Sequence, residues 1–107
     1  MHAVIGIRNA KPAGGGIGHP APTIWFDSLR QLAGVLSDEN RDLLRLIHER
    51  QPRTMLELAV WSGRAASNLS RTLHNLESHG LVRLNRSTDS RAVRPEALVT
   101  EFLVVLG

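Results

Sequence analysis

Thr54-Met55-Leu56-Glu57-Leu58-Ala59-Val60-Trp61-Ser62-Gly63-Arg64-Ala65-Ala66-Ser67-Asn68-Leu69-Ser70-Arg71-Thr72-Leu73-His74-Asn75-Leu76-Glu77-Ser78-His79-Gly80 holds two helix patterns separated by a glycine. Thr54 followed three residues later by Glu57 is a capping-box pattern, which predicts a helix over Met55–Trp61. Gly63 ends it, because glycine enters the left-handed backbone region without steric cost. Beyond the Gly63-Arg64-Ala65 turn, Leu69, Leu73 and Leu76 recur at helical spacing and predict a second helix over Ala66–His79 with one apolar face. Gly80 stands where a helix C′ residue is expected. Two helices joined by a short glycine turn form a helix-turn-helix.

The flanking sequence extends this plan. Leu81-Val82-Arg83-Leu84 reads as a strand, Asn85–Ser90 as a polar hairpin tip, and Ala92-Val93-Arg94 as the returning strand. Pro95 breaks that strand or confines it to an edge. Upstream, Ser37 caps a helix whose first turn holds Asp38 and Glu39 and whose apolar stripe is Leu43, Leu44 and Ile47. Pro52 closes it. Leu29, Leu32, Ala33 and Leu36 predict a further helix of about two turns, with Asp27 or Ser28 as its cap. Val4, Ile5 and Ile7 suggest a strand over residues 2–7, and Phe102–Leu106 is β-prone. That last run can pair with residues 3–7, within the chain or across a dimer. Asn9–Pro22 holds four glycines and three prolines and reads as a linker. The expected architecture is α+β. Residues 1–22 form a strand and a Gly/Pro-rich segment, and residues 23–107 a mainly helical winged helix-turn-helix domain with a small antiparallel β-wing. Residues 53–94 are its functional unit.

Composition narrows the function classes. The chain has 107 residues and no cysteine, so thiolate metal sites, disulfides and cysteine nucleophiles are excluded. His2, His19, His48, His74 and His79 are scattered without the spacing that zinc needs, so neither a metal nor another cofactor is expected. There is no phosphate-binding Gly-x-x-x-x-Gly-Lys loop, and Gly14–Gly18 lacks the strand–helix context of a nucleotide fingerprint. No nucleophile elbow or close carboxylate pair is present, and an enzyme is not expected. The opening Met1–Ile7 lacks the basic flank and the length of a signal peptide, and no apolar run reaches the roughly 18 residues of a membrane span. A cytoplasmic protein is expected.

Charge points to a partner. The net charge is +3, but residues 51–95 carry seven arginines against Glu57, Glu77 and Asp89. Arginine suits bidentate contact with phosphate and guanine, although its dominance over lysine can also reflect genome composition. The outward side of the second helix is polar, with Ala66, Ser67, Asn68, Ser70, Arg71 and His74. Small Ala66 and Ser67 allow close approach to a groove floor. Asn68 fits adenine, and Arg71 fits guanine or a phosphate. Arg71 can instead pair with Glu57 or Glu77. Arg64 at the turn is a phosphate contact or an ion-pair partner of Glu57. Arg86 and Arg91, in the polar Asn85–Arg91 segment that Arg83 and Arg94 flank, can reach the minor groove, or can simply keep a solvated hairpin soluble. Trp61, Trp25 and Phe26 read as core or subunit-interface residues.

Three stretches carry a resemblance: Ile24–Leu29, Leu36–Leu44 and Gly63–Leu73. Gly80-Leu81-Val82 and Glu101–Val104 add to it. Over residues 23–105 the chain resembles MarR-like winged helix-turn-helix regulators, and more closely a group of short antitoxin-like DNA-binding regulators. The resemblance implies a double-stranded DNA partner, a repressor role, a homodimer, and a toxin or other protein encoded nearby. The alternative it leaves open is an antitoxin or adaptor that mainly binds that protein and uses DNA for autoregulation. One departure is Ala65, which stands where a capping Ser or Thr is usual and costs the recognition helix about 1 kcal/mol.

Overall fold

Capping hydroxyls set three of the helix starts. A computed structural model describes residues 2–8, 21–86 and 92–105. Along the chain these form β1 (His2–Ile7), β2 (Ile24–Phe26), α1 (Leu29–Val35), α2 (Asp38–Arg50), α3 (Met55–Ser62), α4 (Ala66–Ser78), β3 (Val82–Arg86), β4 (Val93–Ala97) and β5 (Glu101–Val105). Ser28 Oγ accepts the Gln31 N–H at 3.1 Å, Ser37 Oγ the Asn40 N–H at 3.2 Å and Thr54 Oγ1 the Glu57 N–H at 3.0 Å. The Glu57 carboxylate reaches back to the N–H of Arg53, one residue before the cap, at 3.0 Å. Ala65 makes no side-chain cap bond.

Left-handed residues set three of the helix ends. Gly63 (φ 72°) closes α3. Gly80 (φ 79°) follows α4, where the Leu81 N–H bonds Leu76 O and the Gly80 N–H bonds Glu77 O. This paired bonding satisfies the last carbonyls of the helix. Gln51 (φ 48°) performs the reversal after α2, one residue ahead of Pro52.

The strands form two sheets. β3 and β4 are an antiparallel pair in the register Leu84↔Pro95. Pro95 thus lies within β4, on an edge strand where a missing N–H is tolerated. The other sheet is parallel, in the order β2-β1-β5. β1 pairs with β5 (Ala3↔Phe102, Ile5↔Val104) and with β2 (Ile7↔Phe26). The apolar run at 102–105 therefore pairs within the chain. β2 is a strand that the sequence reading does not anticipate. Three residues have no periodicity of their own, and this strand exists only through its bonds to β1.

Alternation on β1 places Ala3, Ile5 and Ile7 in the core with Phe26 and the helices. Leu43, Leu44 and Ile47 of α2, Leu58 of α3 and Leu69, Leu73 and Leu76 of α4 meet there, all buried. Burying each such side chain is worth about 1.5–3 kcal/mol. The opposite side of β1 is close to Trp25: a Cβ added at Gly6 would lie 2.6 Å from the indole ring. The molecule is a small α+β domain. Among the described residues no helix is long and apolar enough to cross a membrane.

Candidate nucleic-acid interface

α4 is anchored by its apolar stripe, and that anchoring fixes which side chains it presents. Leu69, Leu73 and Leu76 are fully buried, so the opposite face must project outward. Ala66, Ser67, Asn68, Arg71, His74 and Asn75 are exposed, and Ser70 is half-buried at the margin. Six of the nine residues singled out from the sequence thus share one helix. The Leu69 N–H is the first to bond within the helix, to Ala65 O at 2.9 Å. The N–H groups of Ala66, Ser67 and Asn68 precede it at an end without a side-chain cap, where the helix dipole favours an anion.

Arg71 is the cation at the middle of this face. The two carboxylates considered as its partners are otherwise engaged. Glu57 holds the Arg53 N–H, and Glu77 Oε2 accepts the Leu84 N–H of β3 at 2.9 Å. Among the described residues Arg71 forms no ion pair and no side-chain hydrogen bond. His74 is held one turn further on. Its Nδ1 lies 2.7 Å from the Ser70 carbonyl, so Nδ1–H donates there and Nε2 is left facing away from that bond.

Arg64 has different partners from those its sequence suggests. Its guanidinium donates to the Glu39 carbonyl at 2.8 Å and to Asn40 Oδ1 at 3.3 Å, tying the α3–α4 turn to the start of α2. Glu57 is not its partner. These contacts bridge a separation of about two dozen residues, and no local pattern announces them. Arg64 is therefore a tether as much as a surface cation.

In the β3–β4 hairpin, Arg86 is exposed and forms no ion pair among the described residues. Arg91 and most of the hairpin tip lie outside the described residues. Arg83 pairs with Glu96 at 3.8 Å, and both are substantially exposed, so the pair contributes little to stability. The exposed cations not singled out from the sequence include Arg53 before α3 and Arg94 on β4. The dense arginine content of residues 51–95 was the available signal for both. Trp61 is half-buried beneath the Arg50 guanidinium, 4.2 Å from the ring centre. Phe26 is fully buried and stacks on His79 at 4.8 Å, whereas Trp25 remains partly exposed. Among the described residues no group of three His, Asp or Glu side chains is placed to hold a metal.

No curated protein and no solved structure matches the chain. One family model does, that of HVO_A0114, over residues 35–102, from the end of α1 into β5. This match covers more than half of the sequence and takes in both helices flanking the Gly63 turn and the β3–β4 pair: the chain belongs to the HVO_A0114 family.

Proposed function

We propose that this protein is a winged helix-turn-helix regulator of transcription, MarR-like in plan, that binds double-stranded DNA and acts in the cytoplasm as a repressor. In this reading α3 and α4 are the helix-turn-helix, α4 enters the major groove, and the β3–β4 hairpin is the wing. Arg71 carries the reading. It sits uncommitted on an outward polar helix face whose neighbouring small and amide side chains suit a groove floor. Asn68 and Arg71 read bases, the open N-terminus of α4 and Ser67 take phosphate, and Arg86 lies beside the duplex.

Fluorescence anisotropy with DNA from upstream of the protein's own gene tests this. Binding should weaken steeply with salt, by about three orders of magnitude from ~50 to ~200 mM if six phosphates are contacted. Arg71→Ala and Asn68→Ala should each weaken specific binding by about tenfold or more. Absence of any salt-sensitive binding to that DNA at low salt would overturn the reading.

One observation favours a second reading, an antitoxin or adaptor that mainly binds a protein. Leu56 and Val60 of α3 are each 72% exposed. Four residues apart, they share one helix face. Co-expression with the product of the adjacent gene should then yield a complex that Leu56→Lys disrupts.

A further inference from the structure

Strand edges in this molecule are blunted in several ways, with one exception. β2 is only three residues long and follows Pro22. β4 carries Pro95, which has no N–H to offer. On β3, the Leu84 N–H is taken by Glu77 Oε2. β5 is different. It is five residues long, contains neither proline nor lysine, and its one charge is Glu101 at the start. One edge pairs with β1, and among the described residues nothing bonds the other. Leu103 is 48% exposed and Val104 38% exposed. Beside them runs an apolar groove of about 340 Å³ between β5 and α1, lined by Leu32, Ala33, Leu36, Phe102 and Val104, with Arg41 at its margin.

We propose that a second copy of this chain occupies this edge, β5 against β5, antiparallel about a twofold axis at Leu103. An open strand edge selects a strand as its partner, because only extended backbone can satisfy its row of donors and acceptors. The sequence of β5 then selects the partner and the direction. In-register parallel pairing would set Glu101 against Glu101 of the other copy. Antiparallel pairing about Leu103 sets Glu101 against Val105 and Phe102 against Val104, so the charges separate and the apolar residues meet. Phe102 and Val104 line the groove beside α1, so the two grooves become continuous across the axis. The product is a six-stranded sheet, β2-β1-β5-β5-β1-β2, with a helical layer from each copy. The inference does not rest on DNA binding.

The chain has no cysteine, so an introduced thiol can pair only with the same residue of another copy. Leu103→Cys, at the axis, is expected to form a disulfide-linked dimer rapidly under mild oxidation, since directly opposed strand residues lie about 4.5–5.5 Å apart. Val60→Cys, at a still more exposed position on α3, should cross-link at least about tenfold more slowly. Sedimentation equilibrium of the unmodified chain should give twice the 11.8 kDa chain mass. Leu103→Lys opposes two like charges and should raise the dimer dissociation constant by about tenfold or more while leaving the circular dichroism spectrum unchanged. A chain that is monomeric at ~100 μM, or a dimer in which Leu103→Cys cross-links no faster than Val60→Cys, would overturn the proposal; affinities down to that range are what a small interface supplies. DNA binding can fail without affecting any of these readouts.

Discussion

Glu77 shows how one side chain can serve two elements. It lies in the last turn of α4, yet its carboxylate accepts the Leu84 N–H of β3 at 2.9 Å. The bond ties the helix to the hairpin and saturates a donor on the outer edge of β3. Glu77→Ala should leave that partly buried N–H without an acceptor and cost about 1–2 kcal/mol. Thermal unfolding would reveal this as a fall in Tm of several degrees, and Glu77→Gln, which keeps an oxygen acceptor, should lose less. Gly6 is a second position where a single atom matters. A Cβ there would fall 2.6 Å from the Trp25 ring and 2.9 Å from Pro22. Gly6→Ala should therefore displace the indole and destabilise the domain by about 1–3 kcal/mol, with a shift in tryptophan emission. Neither contact is visible in the local sequence, because each joins residues brought together by folding.

The helices were the most legible elements. Ser28, Ser37 and Thr54 all cap as their sequence contexts suggest, because N-capping involves residues only three apart. Gly63 and Gly80 both occupy positive φ where the chain must reverse. α4 is the exception that invites a test. Its start at Ala65 has no capping side chain. Ala65→Ser should add one and stabilise the domain by about 0.5–1 kcal/mol, measured by chemical denaturation. Gly63→Ala would place a Cβ at φ 72° and should cost about 1 kcal/mol, although the space around it is open. The strands were less legible. Residues 2–7 and 81–84 carried apolar cues, but β3 runs on through Asn85 and Arg86, whose polarity reads as a turn, and Ile24-Trp25-Phe26 carried no cue strong enough to mark a strand. Its identity depends on β1 being alongside.

Across the whole molecule, the open apolar strand edge and most of the exposed arginines of residues 51–95 belong to different elements. The exposed β5 edge belongs to the parallel sheet, whereas Arg53 precedes α3 and Arg71, Arg86 and Arg94 lie on α4, β3 and β4. If the proposed DNA reading holds, reversing charge in the second group should act through salt dependence. Arg86→Glu should weaken binding to all DNA sequences alike and reduce the slope of log affinity against log salt by about one, whereas Asn68→Ala should act mainly on the preferred sequence. Anisotropy titrations on matched and scrambled duplexes distinguish these outcomes.

The helices, their caps, the buried stripe of Leu69, Leu73 and Leu76, and hence the polar face opposite it, are legible in the residues alone. Helical periodicity and capping are local, so residues within a turn or two carry the information. The folded arrangement, by contrast, sets residues 102–105 against β1 inside the chain, adds Ile24–Phe26 to that sheet, and tethers Arg64 to Glu39 and Asn40. It also decided that Glu57 and Glu77 have other partners than Arg71. Each of these depends on groups far apart in the chain. Their pairing follows from which surfaces the core brings together, and no short window of sequence specifies that.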